Sequence, residues 1–178
     1  MIETVVESIR VSLVTQHRVV LLREVGGDRH LPIWIGPFEA EAIAMAIQGV
    51  TSARPLPYDL LRTVIAEMGG EITEVAVTDL AQDVFYARIV IALNGRRIEI
   101  DSRPSDAIAL AVRAKVPIYV DESVMERAGV QLEADEEAEA EPEPPEAERI
   151  EEGSSFDADL SVFREFINSL DLDDLDKK

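Results

Sequence analysis

Residues 98–120 read IEIDSRPSDAIALAVRAKVPIYV, and the fold is read from how this stretch is punctuated. Ile98, Glu99, Ile100 and Asp101 alternate apolar and polar side chains, the period of a half-buried strand. Ser102, Arg103, Pro104, Ser105 and Asp106 make a polar turn. Residues 107–112, AIALAV, are apolar all round, which predicts a buried helix. The helix ends at Arg113-Ala114-Lys115, and residues 117–120 form a second strand. The turn holds two hydroxyls, a guanidinium and a carboxylate beside a helix N-terminus, with Asp101 just before it. Backbone N–H groups are unpaired there and the local field is positive.

The same unit recurs upstream. Ile33, Trp34 and Ile35 form a strand, Gly36-Pro37-Phe38 a turn, and residues 41–47, EAIAMAI, an apolar helix. Set against residues 106–112, DAIALAV, the match runs acid, Ala, Ile, Ala, large apolar, Ala, large apolar. Two echoed strand–turn–helix units suggest a duplicated half. Ala42 and Ala46, like Ala107 and Ala111, share one helix face and allow close approach to a sheet.

The rest of the chain places these units. Residues 4–14, 18–25 and 31–35 read as strands spaced for hairpins. A helix is expected over 37–48, opened by Pro37 and ended by Gly49, and a second over 57–68, with Leu60, Leu61, Val64, Ile65 and Met68 as its apolar stripe. Residues 71–80 and 83–93 alternate as strands around Ala81-Gln82. Asn94-Gly95 signals a tight hairpin into residues 96–100. A short helix over 122–128 closes a domain of residues 1–130. The expected class is α+β: a mixed, largely antiparallel sheet with packed helices.

Charge divides the chain. Residues 1–130 carry 13 Lys and Arg against 18 Asp and Glu, whereas residues 131–178 carry 4 against 18. Residues 131–155 are acidic and poor in large apolar groups, which predicts a disordered, self-repelling linker. In residues 156–178, Leu160, Phe163, Ile167 and Leu170 recur at helical spacing, an amphipathic helix suited to docking on a protein partner. The folded part has no basic cluster, which counts against tight binding to duplex nucleic acid.

Composition excludes further classes. There is no cysteine, so disulfides and thiolate metal sites are absent. Two histidines, His17 and His30, are too few for a histidine-rich metal site. Any metal would take oxygen ligands, which suits Mg²⁺ or Mn²⁺. The mean hydropathy is +0.02 and no apolar run is long enough to span a membrane. Glu3, Glu7 and Arg10 interrupt the N-terminus, so no secretory signal is read and the cytoplasm is the expected compartment.

The candidate acids are Glu39, Glu41, Asp59, Asp79, Asp101 and Asp106, each at a strand end or helix start. Metal-assisted phosphodiester hydrolysis needs clustered carboxylates and an activated water. The competing reading is capping, since an acid in a first helical turn contributes about 0.3–1 kcal/mol without any function. Arg103 can hold a phosphate bidentately or pair with Asp101 or Asp106. Asp59 can cap its helix and pair with Arg54 or Arg62. His17 and His30 read as surface residues. Trp34 reads as a packed or interface aromatic rather than a base-stacking platform.

LPIWIGPFEAEAIAMAIQG, ARPLPYDLLRTVI, the hairpin from VTDL to VFYARI, and SRPSDAIALAVRAKVPIYV together resemble the bifunctional nuclease domain family. The resemblance covers residues 1–130 and extends to the phenylalanine-containing segment around Phe163 and Phe166. It implies an α+β domain, a homodimer, and cleavage of RNA and DNA. Carried over position by position, the motifs match Glu39 and Glu41 at the first helix start, Arg54, Pro55 and Asp59 in the second motif, and Arg103, Pro104, Ser105 and Asp106 in the third; on the nuclease reading Asp106, Asp59 and Glu41 are the candidate catalytic acids. The same reading takes Arg103, Arg54 and Ser105 as candidate substrate-binding residues, and Asp101, Asp106, Glu41 and Glu39 as candidate ligands for Mg²⁺ or Mn²⁺. The substrate would be a single-stranded or flexible nucleic acid. Many members carry histidine where this chain has Tyr58. Tyrosine titrates near pKa 10 and is a poor general base at neutral pH. The alternative is a non-enzymatic dimeric interaction module whose acidic tail and terminal helix recruit a partner.

Overall fold

The structure is a computed structural model and describes residues 1–11 and 17–131. The expected linker and terminal helix lie outside the described residues, as do residues 12–14 of the expected first strand.

The chain runs β1 (Ile2–Val11), β2 (Arg18–Glu24), β3 (Arg29–Ile35), α1 (Pro37–Ile47) and α2 (Pro57–Glu67). It continues through β4 (Gly70–Ala81), β5 (Val84–Leu93), β6 (Arg96–Ser102) and α3 (Pro104–Ala114), and ends with β7 (Ile118–Val120), α4 (Glu122–Ala128) and β8 (Val130–Gln131). One eight-stranded sheet has the order β6-β5-β4-β7-β1-β2-β3-β8. Only β4 and β7 pair in parallel; every other neighbouring pair is antiparallel. The class is therefore α+β with a mixed, mostly antiparallel sheet.

The echo in the sequence occupies equivalent places. β1-β2-β3 is a three-stranded meander feeding α1, and β4-β5-β6 is a second meander feeding α3. Asn94 and Gly95 both take positive φ between β5 and β6, the geometry of a two-residue hairpin whose twist matches the strands. The turn between β4 and β5 falls on Gln82 and Asp83, both at positive φ, one residue later than expected.

The apolar stretch of α3 is the centre of the core. Ala107, Ile108, Ala109, Leu110 and Ala111 are buried, and they join Val20, Leu22, Leu31, Val75, Val77 and Val120 from the sheet in one cluster. Burying side chains the size of Ile108 and Leu110 contributes about 1.5–3 kcal/mol each. The alanines leave room for α1 to pack beside α3. The helix starts at Pro104, before the expected point, because proline's fixed φ suits the first helical position. The polar turn therefore shrinks to Arg103 as N-cap, and Ser105 and Asp106 join the first helical turn. α3 stops at Lys115, which takes the left-handed conformation at φ 58°.

α2 differs from the other long helices in having no fully buried residue. Its expected apolar stripe splits. Ile65 and Tyr58 pack against the core cluster, while Leu60, Leu61, Val64 and Met68 face outward. Among the described residues no helix is long and apolar enough to cross a membrane.

Candidate functional site

Three helices begin around one group of side chains. α1, α2 and α3 each open on a proline, and none has a side-chain bond from its N-cap residue, Gly36, Leu56 or Arg103. Counting from those prolines, the third helical position holds Glu39 in α1, Asp59 in α2 and Asp106 in α3.

Arg103 joins two of these acids. Its Nε donates to Asp106 Oδ2 at 2.6 Å and its Nη2 to Asp106 Oδ1 at 3.0 Å. The same Nη2 donates to Glu39 Oε1 at 2.9 Å. Tyr58, in the first turn of α2, donates its hydroxyl to Asp106 Oδ1 at 2.8 Å. Four side chains from three helix starts thus form one connected group, with no pair except Arg103 and Asp106 close in sequence. The bonds to Asp106 first, and then the one to Glu39, hold the Arg103 proton more tightly than in a free guanidinium. Burial, and next the bond to Asp106, push the Tyr58 phenol well above the usual tyrosine range. Tyr58 therefore stays a donor at neutral pH and is no general base.

Two carboxylates and one guanidinium leave a net charge of about −1. Three helix N-termini, each equivalent to about half a positive charge, offset it. The Arg103 side chain is 68% exposed, and its Nη1 has no protein partner among the described residues. A phosphate can approach this edge and meet the guanidinium and unpaired first-turn N–H groups.

The other candidates lie elsewhere. Asp59 is occupied: its Oδ2 accepts from Leu56 N at 3.0 Å, and Arg113 reaches it at 3.2 Å. Arg113 also donates to Ala42 O at 3.5 Å, so the pair ties α1, α2 and α3 together below the site. Asp101 stands exposed on edge strand β6, opposite Arg88 in the register. Arg88 itself bonds Glu99 at 2.6 Å. Asp79, exposed on β4, reaches Arg127 at 3.7 Å. Glu41 is exposed one turn along α1 and lines the surface beside Phe38. Ser105 is 7% exposed and lines a depression with Arg103 and Trp34. Arg54 is exposed in the connector before α2. His30 is buried rather than on the surface, with Nε2 3.0 Å from Glu7 Oε2.

Of the candidate acids Glu39, Glu41, Asp59, Asp79, Asp101 and Asp106, Glu39 and Asp106 are the two that share one partner, Arg103. Among the described residues no three Asp, Glu or His side chains are grouped to hold a metal ion. Arg103 already bridges Glu39 and Asp106, so this donor set does not fit a resident Mg²⁺ or Mn²⁺.

Two aromatic residues flank the group. Trp34 is not packed inside: it is 64% exposed and meets the His17 ring edge-on at a centroid distance of 5.7 Å. Phe38, between Pro37 and Glu39, is 81% exposed. Phe38 carries no motif of its own in the sequence. The available signal was a large aromatic in the polar start of a helix, where core packing has no use for it.

Comparison with known proteins places the chain among relatives. The family described as bifunctional nuclease domain matches residues 20–133. An uncharacterized protein of Mycobacterium tuberculosis (strain ATCC 25618 / H37Rv) is 43% identical over 174 residues, 97% of this chain and 96% of that protein. Bifunctional nuclease 1 of Oryza sativa subsp. japonica is 31% identical over 119 residues, 65% of this chain and 36% of that protein. Bifunctional nuclease 2 of Arabidopsis thaliana is 34% identical over 105 residues, 57% of this chain and 32% of that protein. The matched segment thus spans about a third of the length of each plant relative.

Proposed function

Because the chain belongs to the bifunctional nuclease domain family, we propose that it hydrolyses phosphodiester bonds of RNA or DNA at the group formed by Glu39, Arg103, Asp106 and Tyr58. The observation that carries this reading is the convergence of three helix starts on an exposed arginine. Arg103 would hold a phosphate oxygen through its free edge, and the first-turn N–H groups would add to the attraction.

Chemistry then needs an acceptor for the proton of an attacking water. Asp106 already accepts three bonds, whereas Glu39 accepts one from Arg103 and keeps an oxygen for this task. In the proposed step the water oxygen bonds to phosphorus and its proton passes to Glu39. The bond from phosphorus to the leaving sugar oxygen breaks, and that oxygen takes a proton from solvent water, while Glu39 returns its own to solvent. Asp106 and Tyr58 position Arg103. Mg²⁺ and Mn²⁺ enter the assay as measured variables.

The test is cleavage of end-labelled single-stranded RNA and DNA by the full chain, with each metal and with chelator. Arg103→Ala should lower cleavage and reduce the salt slope of binding by about one. Absence of both binding and cleavage in every condition would overturn the reading.

A second reading, a non-enzymatic homodimeric module, is favoured by the outward apolar face of α2, where Leu60 and Met68 are exposed. Contiguous apolar surface of this kind marks interaction sites. Light scattering at micromolar concentration gives the dimer mass if this face pairs, and the monomer mass if it does not.

A further inference from the structure

Trp34 and Phe38 line separate hollows that each border the charged group. Trp34 lines a depression of about 300 Å³ with Arg103, Ser105 and Phe85. Phe38 lines another, of about 310 Å³, with Glu39, Tyr58 and Met45. Each hollow thus has an aromatic wall and a member of the charged group at its edge. Phe38 also lines a hollow with Arg18, a half-buried cation with no ion pair among the described residues. Trp34 thus borders Arg103, and Phe38 borders Arg18, with the carboxylates Glu39 and Glu41 also lining the hollows at Phe38.

An unpaired nucleic-acid strand carries the complementary groups, a phosphate between bases whose flat faces are free. A duplex hides those faces within its stack. Exposed rings on a short, rigid strand end and a proline-started helix lose little conformational freedom when a base lies on them. We propose that Trp34 and Phe38 are stacking platforms for the two bases flanking a phosphate held at Arg103, so that the chain takes an unpaired strand. This rests on the phosphodiesterase reading for the place of the phosphate, but the stacking is measured without cleavage.

Trp34 is the chain's one tryptophan, so its emission reports on its own hollow. The full chain is titrated, in chelator, with oligothymidylate and oligouridylate of about ten nucleotides, within the usual site size of such proteins. An abasic strand of equal length and a hairpin duplex serve as controls. Unpaired strands with bases should quench the emission and the controls should not; the two sugars separate DNA from RNA. Phe38→Ala should weaken binding about 5- to 150-fold, the range expected for one lost stack, and Phe38→Tyr should restore it. Both rings are exposed, so the variants keep the core, which circular dichroism checks. Equal binding and quenching by the abasic strand, or unchanged affinity in Phe38→Ala, would overturn the proposal. So would an emission shift on raising protein concentration alone, which would assign Trp34 to a contact between two copies. Quenching with this base dependence but no cleavage would leave the stacking standing and remove the nuclease reading. Cleavage of paired and unpaired strands alike, with Phe38→Ala neutral, would do the reverse.

Discussion

Replacing Asp106 by Asn separates the chemistry of the site from its scaffolding role. Asp106 accepts from Arg103 Nε at 2.6 Å, Arg103 Nη2 at 3.0 Å and the Tyr58 hydroxyl at 2.8 Å. An amide offers one accepting oxygen. If that oxygen takes the Oδ1 position, it keeps Tyr58 and Nη2 but turns an N–H₂ donor toward the Nε–H donor. If it takes the Oδ2 position, the donor meets the other two. Arg103 is mostly exposed, so the lost ion pair is worth about 0–1 kcal/mol. One charge-assisted bond lost at a partly exposed position adds about 1 kcal/mol. The expected destabilisation is about 1–2 kcal/mol, a fall in Tm of roughly 3–10 °C for a domain of this size. Arg103 would lose its anchor, and a reactant displaced by about 1 Å can cost about a hundredfold in rate. Initial rates on a labelled single-stranded oligonucleotide, with parallel calorimetry, measure both effects. Cleavage within about threefold of the parent would refute the assigned role of Asp106. A stability loss above about 4 kcal/mol would mark it as a structural residue instead.

Three further outcomes follow from the same geometry. Tyr58→Phe should lose a roughly constant amount of stability at neutral pH and a diminishing amount at alkaline pH. Above about pH 10 the unfolded tyrosine ionises while the folded one, held well above the usual range, keeps its proton, so the parent's advantage falls as pH rises; urea unfolding between neutral and strongly alkaline pH checks this. Gly36→Ala should lower cleavage about tenfold or more with stability nearly unchanged, because a Cβ there collides with the flexible Glu39 carboxylate and pushes it from Arg103; a rate equal to the parent's would count against Glu39 as proton acceptor. Arg113→Ala should cost about 2–3 kcal/mol in urea unfolding, since it strands a partly buried Asp59, whereas Arg103→Ala should cost under about 1 kcal/mol; similar losses in the two would be inconsistent with the burial difference.

The fold was largely legible from the sequence because its signals are local. Alternation in residues 98–101, the all-apolar run of 107–112, the prolines at helix starts and Asn94-Gly95 each act within a few residues. What was not local was missed. β8 is two residues long and exists only because it pairs with β3. The last strand of each meander leads directly into a helix, as the echoed units required. Yet aligning them by their apolar heptads set Glu41 against Asp106, and the structure brings Glu39 to Asp106 instead. The apolar run of α1 begins two residues further from its proline than that of α3. Convergence depends on where each helix starts, since its first turn faces the neighbouring helix starts; the apolar register governs only the core-facing side. Tyr58 and Asp106, 48 residues apart, meet through packing that no spacing rule records.

Three acids occupy the third position of three proline-started helices, and in sequence each could equally serve as a cap or as a site residue. Asp59 caps, spending one oxygen on Leu56 N and both on Arg113. Glu39 and Asp106 make no such backbone bond and spend their oxygens on Arg103 and Tyr58. The difference lies in which cation each can reach. Arg113 sits at the far end of α3 and comes up beneath α2, so it takes Asp59 into a mostly buried pair. Arg103 precedes α3 at the surface, where its exposed side chain takes up Asp106 and the more buried Glu39. Capping and the proposed chemistry are thus divided among equivalent positions by the placement of two arginines: Arg113 is mostly buried, and the exposed guanidinium of Arg103 is the one a phosphodiester could meet.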